Sequence, residues 1–594
     1  MSSQAKAAER LPEDAPAGDA LLAAWQAKVR ADLGLEPGAS LAKLTTTRPG
    51  GFAIDPLYVA SPPAAGVLRH ERGWVLAPSV VAAEPELANV VAEEISGGAE
   101  AVFFDGARDA AHLLSEIVGT PTIGFERSEL AVVRAVLGAY SSRASAPRSS
   151  RANPGRCRWL GIDPVVVGFA AAAEATAELG ETNAIPAVID SRAWEGSPAD
   201  ELAFALAAGL ALAGRLEAYE LDAAEATRFI LWTVPLGTDF LLQTAKLRAL
   251  RRLWDRVLTL AKSPERPPIQ IRGVASLRWA TVYDPWVNLL RNTAATFAGA
   301  LGGADLLTPL PYDAALGTPD ADARRLARNT VHLLAHEAHL ARVADIAAGS
   351  YAIETWTETL AARAWGLAQE VEALGGFEAA LASGFVAERV AATRAQETAR
   401  LAKRQDGLVG TSLFPNLAEV RPVRPAVAGS GSLDIAPRLA EPFERLRAAG
   451  EASGACVALV TIGSPAEHLA RLAFAKGFYE LAGIRTVEVP DGPALADEIR
   501  DLVAGKRFVL FANEASATLA VICGSDRAYP DAVPRVAPQL AAAGIARIVV
   551  AGRPGGLEAA YRAAGVHAFI YAGLDVLDNH HANGAPHPSA EDAR

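Results

Sequence analysis

Cysteine is nearly absent: the 594 residues contain three, Cys157, Cys456 and Cys523. They lie too far apart in sequence for a disulfide framework or a spaced metal knuckle, and a reducing cytoplasm fits them. An excess of basic charge is also missing. Lys and Arg number 56 against 68 Asp and Glu, a formal net charge of −12, so the clustered cations that neutralise phosphates are mostly balanced and nucleic acid is an unlikely partner. The N-terminus carries Ala, Glu, Asp and Pro rather than a basic stretch followed by an apolar one, which excludes a secretory signal there. Uncharged apolar runs of membrane-spanning length are lacking too, and the expectation is a cytoplasmic chain away from membranes.

What is present is ordinary globular composition, with 51% hydrophobic and 21% charged residues. A chain this long exceeds one hydrophobic core, so two large domains are expected. Residues 1–45 read as an N-terminal arm. Within it Leu22, Trp25, Val29 and Leu33 recur at helical spacing before Gly34. That stripe needs a surface to cover, on its own barrel or on a partner.

Over 46–405, short β-branched or aromatic runs alternate with Ala/Leu/Arg helices. The runs include Ala101-Val102-Phe103-Phe104, Thr122-Ile123-Gly124-Phe125, Ala187-Val188-Ile189, Phe229-Ile230-Leu231-Trp232 and Ile269-Gln270-Ile271. So many strand–helix units predict a parallel sheet closed as a TIM-type (β/α)8 barrel, although the pattern also suits an open sheet. Residues 406–450, with Pro415, Pro422, Pro425 and Gly429-Ser430-Gly431, read as a linker. In 451–594 five short strands, beginning near 455, 486, 518, 546 and 567, each have a helical stretch nearby. This predicts a flavodoxin-like, doubly wound α/β domain, whose ligand crevice lies at the carboxyl ends of its strands.

Several segments carry a more specific signal. Tyr283-Asp284-Pro285-Trp286-Val287-Asn288-Leu289-Leu290-Arg291 is followed by Leu301-Gly302-Gly303-Ala304-Asp305, then Ala327-Arg328-Asn329-Thr330, then Ala348-Gly349-Ser350-Tyr351. These four, with Ala245 to Trp254 and Ile54 to Tyr58, resemble the methylmalonyl-CoA mutase family in order and spacing. Within that family the chain is most similar to the small, non-catalytic (beta) subunits of heterodimeric enzymes. Taken as residues, the segments are architectural: Asp284-Pro285 is expected to cap and start a helix, and Gly302-Gly303 to permit a tight turn.

The resemblance implies a second domain of cobalamin-domain type and also shows what has been lost. Active chains of the family carry Asp-x-His-x-x-Gly after the first strand of that domain, where His ligates cobalt and Asp orients it. Here the loop reads Gly463-Ser464-Pro465-Ala466-Glu467-His468-Leu469-Ala470-Arg471. Aligned without gaps, His468 stands opposite the ligand, Ala466 replaces the Asp and Arg471 the Gly. The family's later motifs become Gly524-Ser525-Asp526 and Ala551-Gly552, and Arg471 and Arg553 are expected to intrude where the nucleotide tail would lie. In the barrel, the segment Asp190 to Gly196 holds no His to donate to a thioester carbonyl. Thr308-Pro309-Leu310 replaces another His-bearing strand end, and nothing after Gly73-Trp74 matches the family's Tyr-Ala-Gly-Phe loop.

The expectation is therefore a chain with no catalytic, cofactor-binding or metal residues of its own. It would support a homologous large (alpha) catalytic subunit that binds adenosylcobalamin and the acyl-CoA and interconverts methylmalonyl-CoA and succinyl-CoA. The alternative is a self-sufficient acyl-CoA mutase using His468 as an unusual cobalt ligand. Other histidines read as bland: His332, His336 and His339 share a helix with Glu337 but not in a zinc-protease order, and His580-His581 with His587 resemble a mobile tail. Gly555-Gly556 lacks the downstream residues of a phosphate loop.

Overall fold

The computed structural model describes residues 18–59, 73–81, 86–105, 122–126, 130–131, 133–134, 157–179, 184–427, 436–505 and 517–582. A two-stranded hairpin, β1 (Thr46–Arg48) and β2 (Phe52–Ile54), leads into the first large sheet. Its strands are β3 (Val75–Leu76), β4 (Ser79–Val81), β5 (Ala101–Asp105), β6 (Thr122–Phe125), β7 (Cys157–Ile162), β8 (Ile185–Asp190), β9 (Ile230–Leu236), β10 (Gln270–Ala275) and β11 (Leu306–Thr308). The order is β3-β11-β10-β9-β8-β7-β6-β5-β4, and every pairing is parallel.

The two ends of that order are halves of one extended segment, parted only by Ala77-Pro78. Proline has no N–H to continue a ladder, so the strand is interrupted there. Its flanks still bond to both sides: Ala77 N–H donates to the Leu307 carbonyl and Phe103 N–H to the Pro78 carbonyl, each at 2.9 Å. The sheet thus curls back onto its own first strand in the manner of a TIM-like barrel. Strands β5, β8 and β9 are buried along their whole length, as a parallel sheet covered on both faces requires.

Long helices form the outer layer. Pro198–Leu216 begins where Ser197 accepts from the Asp200 N–H and proline sits in the first turn. With its charged residues included it is long and apolar enough to cross a membrane by length and composition, yet most of it is buried inside the fold as a core helix. Gly209 on this helix lies under Trp232, where a Cβ would come within 2.4 Å of the indole. Trp232 in turn meets Trp254 edge-on at 4.9 Å, and Trp254 Nε1 donates to the Thr227 hydroxyl at 2.7 Å. Burial of side chains this large contributes about 1.5–3 kcal/mol each.

The connecting stretch is shorter than its composition suggests. Residues 413–420 alternate strictly between half-buried and exposed around a turn at Leu417-Ala418, but Glu441–Ser453 is a helix whose Phe443 and Leu446 are buried against Val457 and Leu459. The prolines and glycines before residue 438 say nothing against a helix beyond them. The second sheet contains β12 (Cys456–Thr461), β13 (Arg485–Pro490), β14 (Ala517–Cys523), β15 (Arg547–Ala551) and β16 (Ala568–Ile570), all parallel, in the order β13-β12-β14-β15-β16. Alternate residues feed two cores: Ala458, Val460, Ile522 and Val550 face one, while Val457, Leu459, Val521 and Val549 face the other. Cys456 and Cys523 are buried in this sheet, and burial pushes their thiols up to about 11 and about 12. Neither is therefore a reactive thiolate at neutral pH.

Candidate functional site

In a barrel of this kind the carboxyl ends of the strands carry the chemistry. Here they carry a closed ion network. Arg272, in the middle of β10, grips Glu126 at the end of β6 through Nη1 at 2.8 Å and Nη2 at 2.6 Å. Its Nη2 also donates to Ser79 Oγ at 2.7 Å, its Nε to Thr308 Oγ1 at 2.9 Å, and its guanidinium lies 3.6 Å from the centre of the Phe103 ring. Ser79 Oγ donates to Glu126 in turn. From the other side Arg192 reaches Glu126 at 2.8 Å and chelates Asp190 at 2.9 and 2.5 Å. Burial alone would raise the Glu126 carboxyl, but the two guanidiniums and the bonds from Arg272 and Ser79 hold it well below the usual carboxylate range.

Such a cluster pins strand ends from around the barrel and leaves its own charges satisfied. No free base or nucleophile emerges from it. Above it is a cavity of about 400 Å³, walled by Val274, Leu277 and Pro309 and roofed by Val427, Ala436 and Pro437 of the connecting stretch. Glu195 opens onto it, accepts from Ser276 Oγ at 2.6 Å, and is pushed up by burial. The residues lining this cavity include no histidine.

The crevice of the second sheet is closed by side chains. The helix Pro465–Glu480 follows β12 and is capped reciprocally by Ser464 and Glu467. From its second turn Arg471 spans the carboxyl ends of the strands, donating to the Ala551 carbonyl at 2.8 Å and to Asp526 at 2.9 Å. Gly552 leaves room for it: a Cβ there would come within 2.4 Å of Arg471 Nη1. The Tyr529 hydroxyl completes the plug, accepting from the Gly524 N–H at 2.9 Å and donating to the Ala551 carbonyl at 2.7 Å.

A sequence profile described as methylmalonyl-CoA mutase matches residues 189–466. The methylmalonyl-CoA mutase small subunit of Streptomyces virginiae is 32% identical over 584 residues, covering 90% of each chain. The chain belongs to the methylmalonyl-CoA mutase family. A probable methylmalonyl-CoA mutase small subunit of Mycobacterium tuberculosis is 34% identical over 442 residues, 70% of this chain and 69% of that one. The similarity to a methylmalonyl-CoA mutase of Cereibacter sphaeroides, 32% identical, extends over 38% of this chain and 32% of the relative.

The stretch that resembles the mutase family's signature is a structural joint in this chain. Tyr283 is buried between two guanidiniums, Arg447 at 3.8 Å and Arg421 at 4.3 Å from the ring centre, and its hydroxyl donates to Glu451 at 3.1 Å. Burial and the neighbouring Glu451 push that hydroxyl up to about 12. Asn288 holds the carbonyls of Thr281 and Tyr312, and Arg291 donates to the Val409 carbonyl at 2.9 Å. Asp284 does not cap the helix Val287–Gly302 as its pairing with Pro285 suggested. It has a left-handed φ of 46° and gives its N–H to Glu419, and the helix starts without a side-chain cap. Gly303 does close that helix, at φ 81°.

The remaining candidate residues of this mutase-family chain are scattered. His468 is half-buried on the first turns of its helix, and its Nδ1 is enclosed without a hydrogen-bond partner. Arg553, expected in the crevice, instead lies over the Tyr571 ring at 4.5 Å. His332 bonds the Gly97 carbonyl at 2.8 Å and stacks on His336, while His339 has a left-handed backbone past the helix end. Among the described residues no three His, Cys, Asp or Glu side chains are grouped as a metal site. His580 is not in a mobile tail: it is buried in the helix Val576–Ala582, 2.8 Å from the Phe478 carbonyl and stacked on that ring. His587 lies outside the described residues, as does the side chain of His581.

Sequence reasoning missed the Glu126–Arg272–Arg192 network. One signal was available, an arginine at position 272 between Ile271 and the apolar end of its strand, Gly273-Val274-Ala275. Such a charge is buried only when paired.

Proposed function

We propose that this chain is the supporting small subunit of a heterodimeric methylmalonyl-CoA mutase. Its partner, a homologous large subunit, binds adenosylcobalamin and the acyl-CoA and interconverts methylmalonyl-CoA and succinyl-CoA in the cytoplasm. The observation that carries this reading is the state of both places where an active chain would hold reactants. The cavity at the barrel mouth is lined by no histidine and floored by Glu126 and Arg192, whose charges are satisfied within the network with Arg272, while Arg471 with Tyr529 fills the crevice of the second sheet. On this reading the second sheet is a flavodoxin-like, degenerate cobalamin-type domain, whose strand order β13-β12-β14-β15-β16 suits that assignment.

The crevice residues do not fit the cofactor. Of the three family positions only His468 is retained, no carboxylate stands at Ala466 to orient it, and Arg471 takes the space beside Gly552. The rival reading, a self-sufficient mutase, draws on the partnerless Nδ1 of His468. Co-expression with the large subunit separates the two. A 1:1 complex active only when both chains are present supports the heterodimer, whereas methylmalonyl-CoA isomerisation by the purified single chain would overturn it.

A further inference from the structure

A cavity of about 270 Å³ lies at the seam between the barrel and the second sheet, lined by Lys403, Arg404, Phe474, Phe478, Tyr571 and Leu574, among others. It shares no lining residue with the cavity above Glu126, and neither Arg471 nor Tyr529 lines it, although Tyr571 to Leu574 follow β16 at the same edge of the sheet as the crevice. Its walls are aromatic and its charges are of one sign. Phe474 and Phe478 stand 6.1 Å apart, and Tyr571 carries Arg553 on its ring. No carboxylate is among the lining residues.

Arg404 is the unusual member. It follows the helix Phe385–Ala402 with φ 56°, a left-handed conformation unfavourable for any residue but glycine. Its guanidinium rests near the Phe474 ring at 5.7 Å, and its Nη1 is enclosed without a hydrogen-bond partner. Arg400, one turn earlier, shows what an arginine here would otherwise do: it takes both oxygens of Asp406, at 2.6 and 3.0 Å. With that carboxylate engaged, Arg404 makes no ion pair among the described residues. A partly buried guanidinium held in a strained backbone and lacking its acceptor is an incomplete ion pair.

We propose that this cavity binds a small aromatic anion, its charged group taken by Arg404 and Lys403 and its ring packed among Phe474, Phe478 and Tyr571. An arginine fork suits phosphate and carboxylate alike, and the volume admits a compact ligand. The shared chemistry is a planar ring joined to an anion, which either a nucleoside monophosphate or an aromatic carboxylate supplies. The inference uses this chain's residues alone and does not depend on the supporting-subunit reading.

Calorimetric titration of the purified full chain with AMP, benzoate and inorganic phosphate provides the test. At least one of the two ring-bearing anions is expected to bind at least about tenfold tighter than phosphate, and which one does identifies the source. Arg404→Met should weaken that binding about tenfold or more, and Phe474→Leu should weaken it while leaving phosphate unaffected. Arg404→Gly relieves the left-handed backbone, so it should raise the melting temperature of the unliganded chain while abolishing the ligand-induced rise. Absence of binding by both ring-bearing anions at millimolar concentration would overturn the proposal. So would binding that is unchanged in Arg404→Met, since a guanidinium serving only the negative end of its helix would leave affinity alone.

Discussion

Arg272 holds both oxygens of Glu126, at 2.8 and 2.6 Å, although the two residues are 146 positions apart. One sits in β10 and the other just past β6, with β7, β8 and β9 between them in the sheet, so the bond crosses the barrel mouth rather than a neighbouring strand pair. In an enzyme this is where a substrate would approach. Here the guanidinium and carboxylate satisfy one another, and the barrel's rigidity is gained at the position where its chemistry would have been.

Glu126→Gln tests that trade. It leaves Arg272 and Arg192 facing a neutral amide in a buried site, and breaking a buried pair from one side costs about 3–5 kcal/mol. In the folded chain Glu126 ionises well below its unfolded value of about 4.3, so its contribution is full above that value and is lost progressively as pH falls from there towards the depressed folded value. Glu195 and Glu201, which burial raises, act in the opposite direction and complicate the wild-type profile. The difference between wild type and variant is the clean readout. Urea unfolding at pH 7 and near pH 3 should give a wide gap that narrows in acid, most of the narrowing falling below pH 4, and a gap unchanged at pH 3 would contradict the network.

For Arg471→Ala a smaller effect is expected. Asp526 is exposed, so its ion pair contributes little, and the Ala551 carbonyl keeps the Tyr529 hydroxyl. The loss should be about 1 kcal/mol. Opening the crevice should not restore cobalt ligation, because Ala466 still provides no carboxylate behind His468. Absorption spectra of adenosylcobalamin should be unchanged by wild type and variant alike. A His468-dependent shift with either chain would count against the supporting-subunit reading.

The joint around Tyr283 predicts coupled unfolding. Arg447 is buried against the ring and bonds Glu451 at 2.9 Å, the Gly410 carbonyl at 3.4 Å and the Asn416 carbonyl at 2.7 Å. It ties the barrel, the connecting stretch and the first helix of the second unit together. Arg447→Met keeps much of the volume and removes every polar bond of the guanidinium, leaving two carbonyls unmatched and Glu451 with the Tyr283 hydroxyl but no cation, at about 2–4 kcal/mol. Calorimetry should resolve two transitions where wild type gives one. A single transition shifted as a whole would mean the units are joined elsewhere.

Much of the fold was legible because its signals are local. The strands of the second sheet begin within two residues of their expected positions, since runs such as Val457 to Val460 and Ile548 to Val550 are bounded by glycine and helix starts. The barrel sites were legible only as absences. Missing histidines could be counted, whereas the partners of Arg272 lie far apart in sequence and no local pattern joins position 272 to 126. Asp284 failed as a cap for the same reason: Glu419, 135 residues away, takes its N–H and the backbone turns left-handed. The cavity at Arg404 left no trace at all, because an arginine after a helix reads as a favourable C-terminal charge.

The N-terminal arm carries the last prediction. In the helix Gly18–Asp32 the side chains of Leu22, Trp25 and Val29 are half-buried, while Leu21 and Leu33 remain 48% and 56% exposed. None of the five belongs to the described hydrophobic cores or to the residues packed against them. Beyond the helix, Leu35 and Leu44 are exposed as well, so the arm presents apolar surface along its length. Further along, Phe52 and Tyr58 pack edge-on against Trp356 of the barrel. Removing residues 1–36 leaves that contact intact and should barely change the chain's own melting temperature. Completing the burial of an aromatic anchor and its aliphatic neighbours on a partner is worth roughly 2 kcal/mol or more, so the truncated chain should bind the large subunit about thirtyfold more weakly. Differential scanning fluorimetry of the single chain and sizing or calorimetry of the pair measure the two quantities separately. A truncated chain that melts much earlier yet binds its partner unchanged would place the arm's role within this chain.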